Sequence, residues 1–373
     1  MSAPAPAAPL AEVSLQRHDD TLSRYRAVFR GRLLLLAGLA GLLGLLAVLA
    51  VAMGSYGLTV HEVARALIGE ADEATRVVVW NVRLPRIVAA IVVGWALGLA
   101  GLATQSLLRN PLASPFTLGI SHGAAFGAAL AIVWLQAGTV KGSALHVGVP
   151  ASVFVTRLSS VTLCAFLGAL LATVAILALA RLRKMAPESI ILAGVALSSL
   201  FASGTILMQY FATETEIASV VFWTFGDVAR STWREIGLLA AATVGVTAYF
   251  LAHGWDLNAL LGGEETALGL GVNVDRLRLL GMLLATLIAA LATAFHGVIA
   301  FLGLLAPHIG RRLVGADHRL LIPCASLIGA GLLLAADTFG RVAVGSGALP
   351  VGVLTSFMGA PVFLWLFLRA ARR

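Results

Sequence analysis

Val82-Arg83-Leu84-Pro85-Arg86 opens an apolar run from 87 to 107, and Arg109-Asn110-Pro111-Leu112-Ala113-Ser114-Pro115-Phe116-Thr117-Leu118-Gly119 closes it. The run carries no charged residue. As a helix rising about 1.5 Å per residue, it reaches about 30 Å, the thickness of a bilayer's hydrocarbon core. Nine further apolar runs lie near 33–54, 117–137, 158–180, 190–210, 235–253, 278–298, 299–313, 320–336 and 349–368. Composition agrees: 59% of the 373 residues are hydrophobic, 12% are charged and the mean hydropathy is +0.94. One soluble core could not hide so much apolar surface, so lipid is the main solvent. The expectation is an all-α integral membrane protein of about ten transmembrane helices. Residues 1–30 form a cytoplasmic N-terminal tail before a single transmembrane domain, 31–373. The eighth run is short and joins the seventh through His296-Gly297, so a tight re-entry or a broken helix is expected there.

A formal charge of +8 raises the question of nucleic acid. The basic residues cluster at the ends of apolar runs, where insertion topology places them, so nucleic-acid binding is set aside. Arg17, Arg24, Arg26, Arg30 and Arg32 precede the first run and mark it as an uncleaved anchor with a cytoplasmic N-terminus. An even number of spans returns the C-terminus to the same side. On that topology 17 of the 26 Lys and Arg residues are cytoplasmic and 9 are not, the bias that positive-inside insertion demands. Cys164 and Cys324 lie in separate apolar stretches and read as small packing residues. Gly94 and Gly98, and the series Gly119, Gly123 and Gly127, are spaced to bring helix backbones close together. Non-cytoplasmic segments 55–82 and 138–157 have room for a short helix such as His61 to Ile68, not for a catalytic domain.

Paired carboxylates, HExxH, GxSxG, Cys/His metal spacings and a Walker-type phosphate loop are all missing. No catalytic or metal site is expected. Span centres nearly free of Asp, Glu, Lys and Arg also argue against an ion-coupled carrier, which needs a buried group to hold its ion. A non-transporting membrane scaffold is the other alternative of a different class. Energy must then enter from outside the chain, and one segment suits that purpose. Residues 257–272, Leu257-Asn258-Ala259-Leu260-Leu261-Gly262-Gly263-Glu264-Glu265-Thr266-Ala267-Leu268-Gly269-Leu270-Gly271-Val272, are too polar to span and too apolar for a free loop. They suit a docked partner protein or an amphipathic helix on the membrane surface.

Several motifs together resemble the FecCD family, the ten-span permeases of type II ABC importers for ferric siderophores, haem and cobalamin. They include Arg83-Leu84-Pro85-Arg86, Gln105 with Arg109-Asn110-Pro111-Leu112-Ala113, Leu118-Gly119-Ile120-Ser121 and Gly263 to Val272. The series continues with Gly303-Leu304-Leu305-Ala306-Pro307-His308-Ile309-Gly310-Arg311, Gly315-Ala316-Asp317-His318-Arg319, Ala336-Asp337, Leu349-Pro350-Val351-Gly352-Val353 and Gly359-Ala360-Pro361. The likeness implies a homodimer in the bacterial inner membrane with both termini cytoplasmic. It also implies two cytoplasmic ATPase subunits, which bind the ATP and Mg, and a periplasmic substrate-binding protein. No cofactor is bound permanently, and the chain is not itself an enzyme.

In such importers the segment between spans six and seven forms the coupling helices, which here implicates Leu260, Gly263, Glu264, Glu265, Ala267, Leu268, Leu270 and Gly271. Arginines matching Arg83, Arg86 and Arg341 meet acidic residues of the binding protein. A guanidinium fork suits a carboxylate. The local alternative is that Asp337, four residues before Arg341, simply pairs with it. The likeness also makes the fifth span a wall of the path, offering Ser198, Ser199, Ser203, Met208 and Tyr210. His122 departs from the Ser or Asn common in relatives and lies near the inner constriction. Pro307-His308 reads as a structural cap at a helix end. The implied cargo is haem, with ferric siderophore and cobalamin as alternatives, moved by alternating access at the dimer interface.

Overall fold

The computed structural model describes residues 10–53, 57–137, 151–182, 186–343 and 349–370. Among them every regular element is a helix. Its helices are α1 (Leu10–Ala52), α2 (Val60–Leu67), α3 (Glu73–Val77), α4 (Leu84–Leu107), α5 (Ile120–Val133), α6 (Ala151–Arg181), α7 (Pro187–Tyr210) and α8 (Glu214–Thr224). They continue with α9 (Trp233–Ala252), α10 (Gly254–Leu261), α11 (Glu264–Gly269), α12 (Val274–His296), α13 (Leu302–Val314), α14 (His318–Ala343) and α15 (Val351–Ala370). The ten apolar runs correspond to α1, α4, α5, α6, α7, α9, α12, α13, α14 and α15.

Seven of the helical stretches are long and apolar enough to cross a bilayer. Helices α5 and α13 have 14 and 13 residues. At about 1.5 Å per residue each covers only about 20 Å, so neighbouring non-helical chain makes up the depth. Helix α12 stops at His296, residues 297–301 are not helical, and α13 then returns, which is the broken-helix outcome. Non-helical backbone at membrane depth survives only where protein covers it. Here the break is packed against two others. Val298 O and Phe225 O both approach Gly352 so closely that no Cβ would fit there, and the Gly352 amide donates to Gly226 O at 3.0 Å.

Helix α4 is the axis of the bundle. It packs against α14, α12, α13 and α9, and nearly all of its residues from Ile87 onward are buried. Ridges of large side chains would hold these axes apart, and glycines remove them. A Cβ on Gly94 would fall 2.7 Å from Ala330 Cα and closer still to Gly329 O, so α4 and α14 cross with backbones touching. Gly123 and Gly168 do the same for α5 and α6, where a Cβ on Gly123 would sit 2.5 Å from Gly168 O. Gly119 lies against α7, where a Cβ would fall 3.0 Å from Ser198 Oγ and 3.5 Å from Gly194 O, and it has a second job. With φ at 77° it ends the 3₁₀ turn Phe116–Leu118 and starts α5.

Candidate functional site

Three regions carry groups beyond packing: the bundle end holding Arg83 and Arg86, the opposite end holding 257–272, and one face of α7.

At the first end, α4 is entered through a π-helical turn, Val78–Arg83, in which the Leu84 amide bonds Val79 O five residues back. Pro85 follows and has no amide to place. Arg83 turns inward to the end of α1, and Arg341, near the end of α14, reaches the same place. A helix leaves four C-terminal carbonyls without partners. Here Arg83 Nη1 donates to Val51 O at 2.5 Å and Ala52 O at 3.2 Å, while Arg341 donates to Met53 O at 3.0 Å and Ala50 O at 3.2 Å. The last turn of α1 has no basic residue of its own, so guanidinium groups from distant helices complement its dipole.

Arg86 Nε donates to Asp337 at 2.9 and 3.1 Å. Arg86 Nη2 and Arg341 Nε add charge contacts to Asp337 at 2.8 and 3.2 Å, at angles outside hydrogen-bond geometry. The Asp337 side chain is fully buried, and Asp227 lies 4.0 Å from Arg86. The local Asp337–Arg341 pair is therefore formed, and all three arginines are engaged within the chain.

At the opposite end, α10 and α11 fold over a core of their own made by Leu260, Ala267 and Val274. Gly263, with φ at 116°, makes the corner between them. Leu268 and Leu270 are 60% and 69% exposed, and Glu265 and Gly271 also face outward. Sequence-predicted residues thus divide into Leu260 and Ala267, which hold the segment together, and Glu265, Leu268, Leu270 and Gly271, which form its outer surface. Glu264 pairs with the buried Arg278 of α12, whose Nε also donates to Leu107 O of α4 at 3.1 Å.

Asn258 of α10 joins α14. Its Oδ1 accepts from the His318 amide at 2.9 Å and lies 2.8 Å from His318 Nδ1, and its Nδ2 donates to Asp317 at 2.9 Å. Arg319 chelates Asp317 and stacks on Trp255 of α10, 4.2 Å from the ring centre. Hydrogen bonds from Arg319 first, then from Asn258, hold the Asp317 carboxyl down to about 2. Pro307-His308 lies within α13 and not at its end, which corrects the capping expectation. The amide that Pro307 lacks leaves Gly303 O free, and Gln105 Nε2 of α4 donates to it at 3.3 Å.

On α7, Leu192, Val195, Ser199, Ser203, Ile206 and Tyr210 are all exposed at helical spacing. Ser198 lies at the edge of this stripe, near Gly119, and Met208 turns into the chain. His122 is exposed at the start of α5. Sequence reasoning passed over α8, although its capping box, Thr213 with Glu216, is written in the chain.

Two surfaces at opposite ends, joined through one central helix and flanked by an open helical face, are the layout of a transport permease worked by other proteins. The chain belongs to the FecCD transport family, whose model matches residues 42–369. It is 50% identical over 321 residues to a candidate ABC transporter permease protein of Methanocaldococcus jannaschii, covering 86% of this chain and 90% of that one. It is 37% identical over 292 residues to the hemin transport system permease protein HmuU of Yersinia pestis, covering 78% and 83%. With the vitamin B12 import permease BtuC of Vibrio cholerae the identity is 35% over 291 residues, covering 78% and 82%. Among solved structures, an inward-facing candidate metal-chelate type ABC transporter superposes with a TM-score of 0.74 at 31% identity, covering 90% of this chain and 99% of that one. The fold is that of a type II ABC importer permease, and the chain is the membrane-spanning permease component of an ABC transporter, with ATP hydrolysis left to partner subunits.

Proposed function

We propose that two copies of this chain form the pathway of a haem importer in the bacterial inner membrane, with both termini cytoplasmic. Residues 257–272 seat on a cytoplasmic ATPase subunit in each half, and ATP-driven closure of the ATPase pair rocks the halves between outward- and inward-open states. The observation that carries this reading is the outward side of α11 and its C-terminal cap, where Leu268 and Leu270 stand exposed on a segment whose own core is already complete. Apolar side chains held outward on a rigid piece suit a protein cleft.

At the other end, the Arg83, Arg86 and Arg341 cluster is the proposed receiver of binding-protein carboxylates. Within the cluster, the Arg341 bond to Met53 O lies on the exposed side. The exposed stripe of α7, with Ser199, Ser203 and Tyr210, lines the path, and His122 stands at its inner mouth. A mostly apolar wall without a tight polar cage suits a large porphyrin that must be released, and leaves tight binding to the separate receptor. The test is uptake of haemin, ferric siderophore and cobalamin into vesicles holding the assembled complex. Haemin uptake alone supports the cargo assignment; uptake of cobalamin or siderophore in its place overturns it.

A further inference from the structure

Gln105, Ser106 and Leu107 are consecutive at the end of α4, and each meets a different element. Gln105 bonds Gly303 O and Arg311 of α13. Ser106 Oγ lies 2.7 Å from His318 Nε2. Leu107 O accepts from Arg278, the partner of Glu264 on α11. Through His318 the second contact runs on to Asn258 of α10. Each of the two pieces of the 257–272 segment is therefore tied to the axial helix by its own polar bridge.

The chemistry of these ties matters. Ser106, Arg278 and His318 are 6%, 2% and 1% exposed. Burying such groups adds little stability compared with apolar side chains of the same shape, so a segment that only needed holding would be held more cheaply by leucines. Directional bonds provide something that leucines do not. Packed apolar surfaces slide past one another, whereas a hydrogen bond breaks when its partners shift by about an ångström. The imidazole holds Asn258 with one nitrogen and Ser106 with the other, so α10 cannot move without pulling α4 or losing both bonds. The axial helix in turn contacts α14, α12, α13 and α9.

We propose that Asn258, His318 and Ser106 are positioning residues that transmit displacement of α10 to α4, making ATPase closure and pathway opening one event. This rests on the reading of 257–272 as the ATPase-docking segment. The test uses the assembled importer in proteoliposomes with haemin as cargo. Ser106→Ala and His318→Asn, both outside the docking segment and each breaking the Ser106–His318 bond, are measured for ATPase co-purification, receptor-stimulated ATP hydrolysis and haemin moved per ATP. Co-purification and hydrolysis stay near wild type while haemin per ATP falls about tenfold.

Unchanged haemin per ATP overturns the proposal, and so does a proportional fall in hydrolysis and uptake, which is the signature of a merely structural role. If His318→Asn fails to assemble, Ser106→Ala, which deletes one hydroxyl, decides alone. Leu268→Glu tests the underlying reading separately: it abolishes co-purification. If the ATPase stays bound to that variant, the docking assignment fails and this proposal falls with it.

Discussion

Gly94→Ala adds one methyl group where α4 meets α14 backbone to backbone. The new Cβ would lie 2.7 Å from Ala330 Cα and closer to Gly329 O. Ordinary contact needs about 3.5 Å or more, so the axes must part by roughly 1 Å. Neither obstructing atom belongs to a side chain that could turn away. Overpacking usually costs about 1–3 kcal/mol, and the rigid neighbours put this site at the upper end, about 3 kcal/mol, or more than a hundredfold in the folding equilibrium. Gly331→Ala is the control, because a Cβ on this glycine of the same helix α14 meets nothing within 4 Å. Its effect stays within about 0.5 kcal/mol. Denaturation by sodium dodecyl sulfate in mixed micelles, followed through the seven tryptophans, measures both. Equal stability of the two variants would refute the claim that glycine crossings set the spacing of the bundle.

Asp337→Ala removes the counter-charge shared by Arg86 and Arg341, whose side chains are 11% and 8% exposed. A loss of about 3–5 kcal/mol is expected in the same assay. Thr213→Ala strips the capping box from α8 and costs about 1 kcal/mol, read as a small fall in melting temperature. Asp317, held at about 2 against an ordinary 3.8, contributes stability that is complete above pH 3.8 and lost as pH falls through about 2. The stability difference between wild type and Asp317→Asn is therefore constant near neutrality and vanishes toward pH 2 in acid titration.

Much of this is legible in the sequence. Apolar length and spacing located ten helices, seven of them long and apolar enough to cross a bilayer, and the broken join at His296-Gly297 was visible because glycine interrupts a run too short to span twice. Residues 257–272 stood out by composition. Partner choice was not legible. The carbonyls of Ala50 to Met53, which hold Arg83 and Arg341, belong to the backbone and leave no mark in the sequence. Asp337 could be paired with Arg341 by helical spacing, but its stronger bond to Arg86 crosses 251 positions. The same distance problem hid the Ser106–His318–Asn258 chain. At Gly119 spacing marked the close approach to α7 but not the left-handed turn the same glycine makes.

The central claim is that this chain carries a metal chelate across the membrane by work done on its 257–272 segment. The most direct measurement is uptake of haemin into proteoliposomes holding the chain with its ATPase and binding protein, with and without ATP, for wild type and Leu268→Glu. The account predicts uptake only with ATP and only for the wild type. Uptake driven by an ion gradient without ATP, or undiminished in Leu268→Glu, would contradict it.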